Sequence, residues 1–320
     1  MIISIILSLL TIFFVLKNNI YLGNKLGIID EPNRNKVHKT NVPLLGGPTI
    51  FIVLLIFLFL NLKSSNFNIN QFVYLFLLFI LGFIDDKINL NSNFKIIFVI
   101  LFSAILIFLD ESFLIHKIYF EISNNEYYFG KLKIPVTLFC ILLLYIAMNM
   151  SDGINCLLIS FSIFALFTIN IFIFKFALNI FDIGILFSLI FIIYLNYKNI
   201  IFLGNSGASL LASYFIYKLI STNYFNQIDV FEVISIFLVM GIDMVRLVIT
   251  RLLRKKNPFA RDLNHFHHLL IKKFNLFSTI IIYLILSFGP IIISKMINIP
   301  TLFIVPFSII FYFILIKKLN

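Results

Sequence analysis

Eleven consecutive residues, Ile50 to Leu60, are all apolar, and comparable runs recur along the rest of the chain. A membrane strand alternates apolar and polar residues with a period of two, whereas these runs are apolar on every face. They therefore predict helices that span a bilayer. Composition agrees, since 61% of the 320 residues are hydrophobic, 12% are charged and the mean hydropathy is +1.06. A soluble domain needs roughly a quarter charged residues to cover its surface, and a disordered chain needs the opposite composition. Both classes are excluded.

Pro, Gly, Asn and charged clusters divide the chain into about eleven apolar runs, at 1–16, 46–62, 70–84, 96–109, 135–150, 156–174, 181–196, 206–221, 230–248, 277–294 and 299–316. A span needs about 20 mostly apolar residues, fewer where its ends tuck into protein. This predicts an all-α polytopic membrane protein of about eleven transmembrane helices, forming a single domain over residues 1–320. The opening run has no basic flank before it and no small-residue cleavage site, and Lys17 follows it. That favours a retained first helix with its amino end outside the cytoplasm.

Alternation from there places loops 17–45, 85–95, 151–155, 197–205 and 249–276, with the carboxyl end, in the cytoplasm. With Arg246 and Asp243 at the mouth of the helix before residue 249 counted there, that side holds 18 of the 25 Lys and Arg and seven of the 14 Asp and Glu, so the entire net charge of +11 falls there. Basic loops stay inside, so this distribution supports the orientation. The charge thus reports topology rather than a solvated nucleic-acid patch. The opposite loops are short apart from 110–134, where the residues around Asn124 and Asn125 suit a hairpin. Cys140 and Cys156 lie in apolar segments and read as small buried hydrophobes, not as a disulfide or thiolate ligands.

A charge near hydrocarbon costs a few kcal/mol unless paired or hydrated, so the polar residues at helix ends are the informative ones. Five clusters stand out, all assigned to the cytoplasmic side. Lys36 to Pro48, with His38, Lys39, Gly46 and Gly47, leads a basic stretch into a helix start able to hold a phosphate; as a lone motif it reads first as a topogenic loop. Asp85-Asp86 closes an apolar run, and two adjacent carboxylates need a cation, either Mg²⁺ or a neighbouring Lys87 or Lys95. In Asn149-Met-Ser-Asp152-Gly153-Ile-Asn155, helical geometry would put residues 149, 152 and 155 on one face, a carboxylate flanked by two amides.

The fourth cluster, Asn196 to Gly207, feeds a turn into a helix; as a lone motif it reads first as a Ser206 cap and nothing more, and the other reading offers Phe202 as a stacking face and Asn205 as an oxygen ligand. The fifth, Arg251 to Asn275, contains Arg261, His265, His267 and His268. It has no Cys ligands, so cations and imidazoles around an anionic group fit it better than zinc.

Taken in order, these clusters resemble the polyprenyl-phosphate N-acetylhexosamine-1-phosphate transferase superfamily over nearly the whole chain. Gly27 to Asn33 with Pro43-Leu-Leu-Gly46-Gly47, Gly82-Phe-Ile-Asp85-Asp86, Asn149 to Asn155, Phe202-Leu-Gly204-Asn205-Ser-Gly207 and the loop after Asp243 are similar to its motifs. His265-Phe-His267-His268 is similar to the initiators of cell-surface glycans such as O-antigen or teichoic acid, the undecaprenyl-phosphate GlcNAc-1-phosphate transferase-like branch. The phospho-MurNAc-pentapeptide translocases, the alternative branch, usually carry consecutive histidines.

The resemblance implies that undecaprenyl phosphate attacks a UDP-sugar at the inner face of a bacterial plasma membrane, releasing UMP, with Mg²⁺ (or Mn²⁺) required. It assigns Asp85, Asp86 and Asp152 to catalysis, and the same three with Asn205 to metal. His38, Lys39, Asn149, Asn155, Asn196, Phe202, Arg261, His265, His267 and His268 would bind substrate. The family usually has Asp where this chain has Asn155 and Asn205. A non-catalytic relative that binds lipid phosphate would fit those two amides. A transporter would place its charges near the midplane, often with inverted repeats, and neither is visible here. A homodimer is left open.

Overall fold

The computed structural model describes residues 1–32, 40–61, 68–173, 178–220, 228–255, 257 and 263–319. Among them the chain forms α1 (Ile2–Lys17), α2 (Asn19–Leu26), β1 (Ile29–Asp30), β2 (Val42–Pro43), α3 (Gly46–Asn61), α4 (Ile69–Ile88) and α5 (Ser92–Leu109). There follow β3 (Lys117–Phe120), β4 (Asn125–Tyr128), α6 (Lys133–Ser151), α7 (Leu157–Thr168), α8 (Ile180–Tyr197), α9 (Gly204–Ile220), α10 (Val230–Leu253), α11 (Phe266–Lys273), α12 (Leu276–Ile297) and α13 (Thr301–Leu319). Every one of the eleven apolar runs coincides with a helix.

By length and apolarity, seven described helices can cross a membrane: α4, α5, α6 with the turn before it, α8, α10, α12 and α13. An eighth is α1 with α2, which are bent by 81° at their junction. The helices of α3 and α7 are shorter. Large apolar side chains such as Phe108, Leu253, Phe307 and Met296 face outward, as a lipid-solvated helix requires. The chain is a multi-pass, all-helical membrane protein. Both cysteines are free; Cys156 is buried, but Cys140 lies on the outer surface of α6, where an apolar neighbourhood is lipid rather than core.

The chain divides into two compact units, Met1–Phe102 with Leu158–Tyr214, and Ser103–Leu157 with Phe215–Asn320. In the first, α3 packs between α1 and α8. Gly184 brings α8 within 3.3 Å of Leu54, measured from where a Cβ would stand. The interior Asp182 completes a capping box with Asn179 and accepts from Tyr214, so this buried carboxylate has donors rather than bare hydrocarbon around it. In the second unit α10 packs on α6, α12 and α13. The expected hairpin is β3–β4, paired Lys117 to Tyr128 and Phe120 to Asn125.

Candidate functional site

Three of the five polar clusters come together in the first unit. The segment after β2 is stitched to the loop before α9: Phe202 donates its N–H to Pro43, while Gly46 and Gly47 donate to Phe202 and Leu203, all at 2.9 Å. Only glycine permits this approach, because a Cβ on Gly47 would lie 2.3 Å from the nitrogen of Gly207. From α4, Gly82 lies against the same loop, its Cβ position 2.4 Å from the carbonyl oxygen of Asn205.

This docking delivers the paired carboxylates. Asp86 accepts the N–H groups of Asn205 at 2.6 Å and Ser206 at 2.9 Å, so α9 is capped by a carboxylate from another helix. The expectation that Ser206 caps its own helix gives way to this arrangement, in which the first free N–H groups already have a charged acceptor. Asp85 turns to other donors, the N–H of Leu90 and the ammonium of Lys95, both at 2.8 Å. Asp85 is 1% exposed and Asp86 9%, so both are buried rather than hydrated helix-end charges. The side chain of Asn205 is half-buried beside them, Phe202 is half-buried, and Asn196 is buried, donating to the carbonyl of Ile201.

The other two clusters meet in the second unit. The expected shared helical face of residues 149, 152 and 155 does not form, because α6 ends at Ser151. Asp152 takes φ −80, ψ 48, and Cys156 takes φ 63. Asn149 therefore sits in the last helical turn, while Asp152 and Asn155 occupy the turn that follows. Gly153 in that turn lies against the histidines: a Cβ there would stand 2.2 Å from Nε2 of His267 and 2.9 Å from Nε2 of His268.

The imidazoles of His265 and His267 stack at 5.4 Å with an interplanar angle of 14°, and His268 lies 4.3 Å from His267. Burial, with His268 and His265 alongside, holds the pKa of His267 well below the usual value, so this ring is neutral near pH 7. Its Nε2 is buried without a hydrogen-bond partner. His265 instead contacts Asp243, Nδ1 to Oδ2 at 2.9 Å.

A family model for glycosyl transferase family 4 matches residues 68–223, which takes in both the Asp85-Asp86 helix and the Asn205 loop. Over that segment the chain is similar to glycosyl transferase family 4. It is similar to a probable undecaprenyl-phosphate N-acetylglucosaminyl 1-phosphate transferase of Bacillus subtilis, 26% identical over 299 residues covering 89% of this chain and 81% of the relative. Undecaprenyl-phosphate alpha-N-acetylglucosaminyl 1-phosphate transferases of Thermotoga maritima and Yersinia pestis are 28% and 26% identical, covering 81% and 78% of this chain and 78% and 70% of their own lengths.

His38, Lys39 and Arg261 lie outside the described residues. The remaining site residues fall into the two groups above. Asp243, Arg246 and Tyr312, absent from the expected set, form the support of the histidine cluster. The available signal was a carboxylate and an arginine three residues apart in the middle of a mostly apolar α10. Asp243, His265 and His267 also offer ligand atoms within 4.8 Å of one another. Asp243 nevertheless already accepts from Arg246, His265, Phe266 and Tyr312, which makes it a holder of the histidine rather than an open metal ligand. The oxygens of Asp85 and Asp86 in the first unit are likewise occupied, by Leu90 and Lys95 and by Asn205 and Ser206, but with the amide oxygen of Asn205 they are the hard donors of the kind Mg²⁺ prefers.

Proposed function

We propose that this protein transfers a sugar-1-phosphate, an N-acetylhexosamine phosphate, from a UDP-sugar to undecaprenyl phosphate, initiating a lipid-linked cell-surface glycan. The observation that carries the reading is the Asp86 carboxylate on the N–H groups of Asn205 and Ser206, which joins two motifs of the family 119 residues apart. The names of the relatives supply the acceptor. A phosphate oxygen of the lipid attacks the sugar-proximal phosphorus, a P–O bond to that phosphorus breaks, and UMP leaves with the electron pair. Reactant and attacking group are both anions, so positioning and charge neutralisation dominate the barrier.

Asp85, Asp86 and Asn205 would hold Mg²⁺. Bound there, the ion supplies neutralisation of phosphate charge and a template for the phosphates. The chain's own residues do the rest. Lys95 pairs with the buried Asp85. The amide of Asn196 would hydrogen-bond the nucleotide, and Phe202 would stack on the uracil ring. His265 and His268 would contact phosphate or sugar, with the neutral ring of His267 packed beneath them.

The same reading places the protein in a bacterial inner membrane with eleven spans, the amino end outside, and the site on the cytoplasmic face where nucleotide sugars are available. Membranes containing the protein, given undecaprenyl phosphate, Mg²⁺ and a panel of UDP-sugars, should release UMP with at least one sugar. UMP release that persists when Mg²⁺ is removed by chelation would overturn the metal assignment. No release with any sugar would overturn the transferase reading in favour of a non-catalytic lipid-phosphate binder, the alternative that Asn155 and Asn205 support.

A further inference from the structure

The carboxylate of Asp243 is 5% exposed and collects four donors from three different parts of the second unit. On Oδ1 these are Nη2 of Arg246 at 2.8 Å, the N–H of Phe266 at 3.1 Å and the hydroxyl of Tyr312 at 2.8 Å; on Oδ2 it is Nδ1 of His265 at 2.9 Å. Arg246 in turn donates Nε–H to the Tyr312 oxygen at 3.0 Å and Nη2–H to the carbonyl of Asn264 at 2.6 Å. Since the Tyr312 oxygen already receives a hydrogen from Arg246, its own hydrogen points to Asp243. An arginine and a backbone N–H can only donate. Asp243 therefore has no acceptor to which it could offer a proton, and it acts as an acceptor toward His265 as well.

That settles which nitrogen of His265 carries the hydrogen. Nδ1–H faces Asp243, so Nε2 is the position free to exchange a proton or to meet a ligand. The same carboxylate caps the amino end of α11, where His265 is the N-cap and Phe266 the first helical residue. Phe266 is fully buried against Tyr312, with ring centroids 4.9 Å apart, so the capped turn is also wedged into the apolar core. Position, tilt and tautomer of His265 thus depend on one side chain 22 residues earlier.

We propose that Asp243 is a positioning residue that locks His265 in its Nδ1–H form and so dedicates Nε2 to the phosphate or sugar of the substrate. The substrate half of this statement rests on the function proposed above; the tautomer half does not. Carboxylates behind a functional imidazole act this way generally, fixing the ring and raising the basicity of the outward nitrogen. An amide cannot substitute. In Asp243→Asn the NH₂ group would donate to Nδ1, the hydrogen would move to Nε2, and the outward atom would become a fixed donor.

The test is ¹⁵N spectroscopy of the full chain in detergent micelles with labelled histidine, the His265 signals being assigned by loss in His265→Gln. Wild type should show Nδ1 protonated, and Asp243→Asn should show the hydrogen on Nε2. Tyr312→Phe, which keeps the Asp243–His265 contact, should leave the tautomer unchanged. In UMP-release assays Asp243→Asn should lose about 10- to 100-fold in kcat, the scale for outer-shell carboxylates, with KM within about twofold and Asp243→Glu partly restoring kcat. A wild-type spectrum with hydrogen on Nε2 would overturn the proposal even if every variant failed to fold, as would an Asp243→Asn protein with unaltered tautomer or unaltered kcat. A correct tautomer in a protein that releases no UMP would instead remove the transferase reading and leave the anchoring of His265 standing.

Discussion

The carboxylate of Asp86 lies 2.6 Å from the backbone nitrogen of Asn205, and through that contact the end of α4 terminates the free N–H groups of α9. A negative charge at a helix amino end, with the N–H groups pointing at it, is favourable twice over, by hydrogen bonding and by the helix dipole. The contact also fixes the backbone of Asn205 beside the paired aspartates. Stability and site geometry are therefore coupled at this point.

Replacement of Asp86 should reveal both roles. Asp86→Asn keeps one acceptor oxygen but sets an NH₂ against the second N–H, and Asp86→Ala removes both acceptors, costing about 1–2 kcal/mol as a lost cap. Thermal unfolding in detergent should rank wild type above Asn and Asn above Ala. Turnover should be abolished in Asp86→Asn, and wild-type rates of UMP release in that variant would exclude Asp86 from the chemistry.

The close approach of α4 to the α9 loop predicts a sharp contrast between two glycines. At Gly82 a Cβ would lie 2.4 Å from the Asn205 carbonyl oxygen and 2.7 Å from the Ser206 Cα, both backbone atoms unable to step aside, while at Gly241 nothing lies within 4 Å. Gly82→Ala should cost about 1–3 kcal/mol by overpacking. Gly241→Ala, in the interior of α10, should be neutral or stabilising by up to about 1 kcal/mol. Equal melting temperatures for the two variants would contradict the packing described.

Asn205→Asp would place a third carboxylate beside Asp86. Without divalent cations the added like charge should lower the thermal midpoint; with Mg²⁺ the midpoint should recover, and by more than Mg²⁺ shifts wild type. Titration of the midpoint against Mg²⁺ in the presence and absence of chelator reads this directly. A variant whose stability ignores Mg²⁺ would argue that Asn205 is not a metal-ligand position.

His267 makes stability fall with acid. Its folded-state pKa is held well below 6.5 by burial and by the neighbouring imidazoles. As the pH drops below the unfolded value near 6.5, the unfolded chain takes up a proton that the folded one refuses, so stability is lost from that pH downward through the folded pKa. Melting curves from pH 7.5 to 5 should show this decline, and His267→Gln should flatten it. An identical pH dependence in the two proteins would mean that the ring is not buried neutral.

Much of the helical architecture was legible because lipid-facing helices need local, continuous apolarity. Ile50–Leu60 and its counterparts carry that signal in themselves, and every run coincides with a helix. Motif residues were legible too, since Asp85, Asp86, Asn205 and His265 are polar exceptions in apolar surroundings. The ends of elements were less so: Asn149, Asp152 and Asn155 have helical spacing, but α6 stops at Ser151, where the chain turns through Gly153. Spacing records what a helix would do, not whether the helix continues.

By itself the sequence determined that this chain belongs in a bilayer, which segments are helical and which side chains are chemically unusual, because apolarity and charge are properties of short stretches. Only the tertiary structure decided their partners. Asp86 finds its donors 119 and 120 residues later, and Asp243 finds Tyr312 69 residues later. Hydrogen-bond geometry arises when distant helices pack, and glycines such as Gly47, Gly82 and Gly153 record those approaches only once the neighbour is in place.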